Sequence, residues 1–197
     1  RLTEHYEELA HHYEQGEKWE KALEYLVKAG QRLQKAYANQ EALAHYNRAL
    51  AICERLGDKV DPSVLLTLYA GKGAVLSIMS EFLPSIEAYQ YLLEVTRQIE
   101  DREKEAGALY GISAAFGFAH EFEKALEYAE QAKVLASEIG ATNILASSIF
   151  VIGLVHSTAG RLGEAAHLWG EALRISREAG NKDAEGFNLT MLGQLHN

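Results

Sequence analysis

The 197-residue chain predicts an all-α fold, a solenoid of antiparallel helix pairs with about ten helices. Three observations lead there. The stretch Glu121–Ala132 and the stretch Arg161–Ala172 carry one frame forty residues apart, which recurs at Glu81–Leu92 and, in a shorter spacing, at Asn39–Ala49. A fixed period of this size means stacked supersecondary units. Apolar residues also fall at three- and four-residue steps through nearly the whole chain. Finally, there are only two prolines, Ala, Leu and Glu abound, and β-branched runs are scarce, a balance that favours helix over strand.

The expected helices cover 3–15, 18–36, 39–56, 62–79, 83–99, 103–119, 121–139, 142–159, 161–179 and 182–196. Gly57, Gly140 and Gly180 stand where a helix end needs a left-handed residue. Asp61-Pro62 reads as an N-cap followed by proline at the first helical position, and Pro84 also falls where no N–H donor is lost. Strict alternation pairs the helices as 18–56, 62–99, 103–139 and 142–179. The stretch 1–15 is then a remnant of a preceding unit, 182–197 opens an unfinished one, and 1–197 is a single solenoid cut at both ends. Forty residues per pair gives each helix about four to five turns. Small residues mark the expected crossings, with Gly30, Gly73, Ser113, Gly153 and Gly193 opposed by Ala42, Ser85, Ala125 and Ala165, where axes approach to roughly 8–10 Å.

Charge and composition exclude several functions. The chain has 19 basic against 28 acidic residues, for a net charge of −9, and most of the acidity lies after residue 60. That charge repels phosphate backbones and no basic-aromatic stripe offsets it, so nucleic acid is not an expected partner. No stretch approaches the ~18 apolar residues that span a bilayer, and no membrane partner is expected. The single Cys53 implies a reduced, cytoplasmic setting. Arg1-Leu-Thr-Glu has neither a start Met nor a signal-peptide pattern, as expected of a piece of something longer.

Candidate chemistry dissolves on inspection. Gly71-Lys72-Gly73 lacks the strand and the spacing of a phosphate-binding loop, and helix packing explains both glycines. His5, His11 and His12 beside Glu8 invite a metal, but His11 and His12 point about 100° apart, and a solvated helix is expected. His156 and His196 take an aromatic's place in the repeat and are expected in or near the core. Cys53 has no nucleophile motif, and Glu100–Glu105 reads as a solvated helix start. No catalytic residue, metal or cofactor is expected.

The chain resembles the tetratricopeptide repeat (TPR) family in a forty-residue form. Ile152-Gly153 with Ala165, Trp169 and Ala172 carries the likeness best, followed by Phe116 with Ala125, Ala129 and Ala132, and by Ala42, Tyr46 and Ala49. The family's terminal proline is missing from every copy, and Ser85 and Ala129 depart from its pattern. The opening Tyr6–Tyr13 and Trp19–Leu26 are similar to the TPR region of bacterial signalling ATPase and nucleotide cyclase proteins. The long unit is also similar to that of eukaryotic scaffolds that orient the spindle.

The resemblance implies a right-handed superhelix whose concave side is lined by the first helix of each pair. Carried over, the partner-binding positions are Val27, Gln31, Ala74, Tyr110, Ala114, Phe150, Leu154 and Phe187. Apart from Glu24 the expected lining is uncharged, which disfavours the chaperone-tail partners that family members clamp with Lys, Arg and Asn. Tyr110, Phe150 and Phe187 advance one place per repeat, as suits an amphipathic helix or apolar peptide. The competing reading buries these aromatics between layers. The expected function is a non-catalytic protein- or peptide-binding module of a larger signalling protein. Alternatives are a peptide or small-molecule sensor that switches an attached domain, and a self-association module.

Overall fold

A computed structural model describes residues 5–195. Ten α-helices account for most of them: α1 (Tyr6–Gln15), α2 (Trp19–Lys35), α3 (Asn39–Leu56), α4 (Pro62–Ile78), α5 (Phe82–Gln98), α6 (Arg102–Phe118), α7 (Phe122–Ile139), α8 (Thr142–Thr158), α9 (Leu162–Glu178) and α10 (Lys182–Gln194). No strand occurs among the described residues. The fold is an all-α solenoid, as the period predicts. His196 lies outside the described residues.

One turn geometry links nearly all the helices. A left-handed residue recurs every twenty positions at Glu17 and Tyr37, and again at Ser80, Glu100, His120, Gly140, Gly160 and Gly180. After each, the next N–H donates to the carbonyl five residues back, as Lys18 does to Tyr13 at 2.9 Å and Arg161 to His156 at 2.9 Å. That same next residue then accepts the first bond of the following helix, Ala22 N–H to Lys18 and Ala165 N–H to Arg161. A single residue therefore closes one helix and opens another. Glycine supplies the left-handed position for free at three of the eight sites, while the other five hold side chains there against their preference.

The period slips once. Ala42 and Ser85 lie 43 positions apart, against 40 from Ser85 to Ala125, so the spacing is longer and not shorter there. The cause is a 3₁₀ turn, Gly57–Lys59, inserted before Asp61. Asp61 caps α4 as expected, its carboxylate accepting from Ser63 N–H at 2.8 Å with Pro62 at the first position.

Two compact units divide the chain, residues 1–95 and 96–197. In the first, Ala10, Ala22, Leu26, Ala42, Tyr46, Ala49 and Leu68 form a fully buried core. In the second, Ala146, Ile149, Ala172 and Ile175 pack together beside buried Trp169. Within each unit successive first helices touch, α2 with α4, and α8 with both α6 and α10.

The close crossings also seat aromatic rings that the small-residue pattern did not name. A Cβ built on Gly30 would come 2.7 Å from the Tyr46 ring, one on Gly73 2.8 Å from Tyr89, and one on Gly153 2.5 Å from Trp169. Each glycine makes room for an aromatic sixteen positions on. Ser85 still meets Gly73, donating its hydroxyl to that carbonyl at 2.8 Å. A Cβ on Gly71 would also come 2.6 Å from the Tyr46 ring, which completes the packing explanation of Gly71-Lys72-Gly73. In the third copy the pair is Ser113 with Ala129, both fully buried. A hydroxymethyl replaces hydrogen and a methyl replaces the ring, so one departure from the repeat pattern compensates the other. Phe116 stacked on Tyr128, centroids 5.8 Å apart, supplies aromatic bulk nearby.

Candidate partner-binding surface

The partner-binding positions expected from the sequence lie on α2, α4, α6, α8 and α10, and most are half-buried. In the second unit, Tyr110 of α6, Phe150 of α8 and Phe187 of α10 converge on one hollow of about 170 Å³, together with Phe118, Ser147, Ala184 and Asn188. Among the described residues no charged side chain lines it. The Tyr110 hydroxyl pairs with Ser147, and burial pushes its pKa up. Phe187 is the most open of the three, at 64% exposure.

Phe150 is fixed from behind. The indole N–H of Trp169 donates to the Phe150 carbonyl at 3.1 Å, and the two rings lie 6.2 Å apart at 34°. The backbone of α8 is thereby held by α9 while the Phe150 side chain faces the hollow. Ala114 and Leu154 are half-buried on α6 and α8. Leu154 packs on Gly117, where a Cβ would meet it at 3.9 Å.

In the first unit, Val27 and Gln31 of α2 line a separate hollow of about 410 Å³ with Leu23, Lys28, Val60 and Val64. Its rim is mixed in charge, since Glu20, Glu24, Lys59 and Asp61 border it. That differs from the nearly uncharged surface expected, because α2 carries Lys28 one turn after Glu24. The two pair at 2.6 Å, and Lys28 holds the Glu24 carboxyl below the usual range. Ala74 is half-buried on α4 and lines neither hollow.

The residues set aside in the sequence sit as follows. His5, His11 and His12 are exposed, with His5 Nδ1 2.8 Å from Glu8. Among the described residues no group of three or more His, Cys, Asp or Glu is placed to hold a metal ion. Cys53 is buried, which raises its thiol pKa to about 11. His156 is half-buried and pairs with Glu164 at 2.6 Å. Among the described residues, no helix is long and apolar enough to cross a membrane.

Sequence reasoning missed Asn188. It directly follows the expected Phe187 and occupies the slot of Ser148 and Ala108 in earlier copies, a polar amide where those are small. The forty-residue frame was the signal that could have exposed it.

No protein-family model and no curated protein matches the chain. Solved structures do match. The apo form of RapI is similar at 16% identity with TM-score 0.77, over 98% of this chain and 54% of that one. The Rap conjugation gene regulator of the plasmid pLS20, in complex with the Phr* peptide, is similar at 15% identity with TM-score 0.76, over 90% of this chain and 48% of that one. A signal transduction ATPase with numerous domains from Pyrococcus horikoshii, described as having a tetratricopeptide repeat sensor, is similar at 16% identity with TM-score 0.73, over 87% of this chain and 26% of that one. The chain thus spans about half the length of the Rap structures and a quarter of the ATPase. These likenesses establish a TPR-like fold.

Proposed function

We propose that this chain is a non-catalytic protein-interaction module of a larger cytoplasmic signalling protein, binding a helix or peptide along the inner face of its first helices. The observation that carries the reading is the convergence of Tyr110, Phe150 and Phe187, one from each of three successive first helices, on a single uncharged hollow. Aromatic side chains that share a concave, uncharged surface are what an apolar anchor of a partner recognises. A solved structure with this fold holds a peptide, which supports the same class of partner. We propose further that residues 1–197 act as one continuous array.

A second reading has its own support. An ATPase described as carrying a repeat sensor shares the fold, so ligand capture that switches an attached domain is the alternative. A random peptide library presented to the wild-type chain and to the Tyr110→Ala/Phe150→Ala variant tests the first reading. Apolar peptides should be enriched by the wild type and bind the variant at least tenfold more weakly. Enrichment that is indifferent to the two substitutions removes the inner face of the second unit as the binding surface.

A further inference from the structure

Asn188 stands on the wall of the aromatic hollow with one bond unused. It is 1% exposed, its Nδ2 donates to the Ala184 carbonyl at 2.7 Å, and its Oδ1 has no partner among the described residues. The bond to a carbonyl fixes which way round the amide lies, since the reverse would set two acceptors against each other. Forty residues earlier Ser148 makes the same kind of bond, to the Ile144 carbonyl at 2.8 Å, without needing an amide. Packing alone is therefore met by serine at this slot. An unpaired buried amide oxygen costs about 1–3 kcal/mol, so Asn188 is a poor choice unless something donates to it.

The chemistry of the donor follows from the walls. Tyr110 bonds Ser147, and among the residues that line the hollow Asn188 carries the buried side-chain acceptor without a partner, a covered atom that a donor reaches only when its cover moves aside. Among the described residues none that lines the hollow is charged, so none of them compensates a charged ligand group. A volume of about 170 Å³ is below the roughly 300–1,000 Å³ that encloses a whole small ligand, and suits one side chain. A flat apolar side chain with a single neutral N–H is the indole of tryptophan. The same unit already seats one in this manner, Trp169 donating to the Phe150 carbonyl.

We propose that the hollow is a pocket for a tryptophan side chain of a protein or peptide partner, the indole N–H donating to Asn188 Oδ1. This rests on the inner-face reading above and names the group recognised there.

The probe is N-acetyltryptophanamide against its 1-methylindole counterpart, which keeps the ring and lacks the donor, each titrated into the whole chain and followed by NMR. The wild type should bind the first roughly 3- to 10-fold more tightly, the range of one hydrogen bond. Asn188→Leu should abolish that preference while still binding both, and Asn188→Ser, which copies the residue at the Ser148 slot, should do the same if the leucine variant does not fold. Tyr110→Ala/Phe150→Ala should weaken both probes alike. Equal affinity of the wild type for the two probes overturns the role of Asn188 and leaves the inner-face reading intact. Binding of neither probe overturns the pocket, and the peptide library then decides the inner-face reading independently.

Discussion

Trp169 lies across Gly153 so closely that a Cβ on the glycine would come 2.5 Å from the indole Nε1, and the same nitrogen donates to the carbonyl of Phe150. The absence of a side chain at 153 is what lets the indole reach the backbone of α8. Glycine inside a helix costs roughly 0.5–1 kcal/mol relative to alanine, and burial of the ring more than offsets it.

Gly153→Leu should destabilise by roughly 1–3 kcal/mol or more, because the indole is walled in and cannot retreat. Trp169→Ala should cost about 3–5 kcal/mol. The double variant Gly153→Ser/Trp169→Ala copies the Ser113 and Ala129 pair of the preceding copy, and its cost should fall short of the sum of the single costs. Urea denaturation of the wild type, the two single variants and the double measures the coupling, and strict additivity would refute compensation between the two positions.

Glu100 and His120 hold a left-handed backbone without being glycine. Glu100→Gly and His120→Gly should each stabilise by about 0.5–1 kcal/mol, relief of the Cβ strain exceeding the added freedom of the unfolded chain. Gly160→Ala should destabilise by about 1–2 kcal/mol, since φ there is 76°. Thermal melts of the three variants read the signs directly, and a loss of stability on either glycine substitution would contradict the turn geometry.

Alkaline pH should unfold the first unit through two buried acids. Burial raises Tyr46 from 10.0 to about 12 and Cys53 from 9.0 to about 11. Both are favoured neutral in the folded chain, so their contribution is complete below the unfolded pKa and is lost as pH rises through the folded one. The window is pH 9–12, and each group accounts for on the order of 2–3 kcal/mol. Tyr46→Phe keeps the ring between Gly30 and Gly71 but drops its bond to Gln34, at 2.7 Å, for a loss of about 1 kcal/mol at neutral pH. Combined with Cys53→Ala it should flatten stability across that window, as chemical denaturation at stepped pH would record.

Tyr110→Ala/Phe150→Ala should lower the melting temperature far less than Trp169→Ala does. Trp169 is 2% exposed, whereas Tyr110 and Phe150 border open space. Equal losses would assign the pair to interlayer packing and end the binding hypothesis.

The repeat frame made the helices legible, because a forty-residue period with apolar steps of three and four admits little else. Gly140 and Gly180 also announced their turns. Glu17, Tyr37, Ser80, Glu100 and His120 did not, since none of these residues signals a left-handed backbone and only the spacing of twenty reveals them. Small residues located the crossings, but size alone could not say that Tyr46, Tyr89 and Trp169 fill them. Three of the four aromatics of the hollow, Tyr110, Phe150 and Phe187, were readable from their period and Phe118 was not, whereas Asn188 required knowing that its side-chain carbonyl goes unpaired, a property of three-dimensional neighbours. The charged rim around Val27 was hidden for a like reason, as Lys59 and Asp61 arrive there from the far end of α3.

The shared turn residue leaves the array no slack. Where one residue ends a helix and begins the next, deleting or adding a single position turns everything downstream by about 100° and carries buried faces into water. Length is therefore quantised along most of the chain: whole cassettes of forty can be spliced in or out, and fragments cannot. Gly57–Asp61 is the exception, a joint that has already absorbed three extra residues. It is the place for a foreign loop, a tag or a protease site, and the adjoining helices should keep their register when one is inserted.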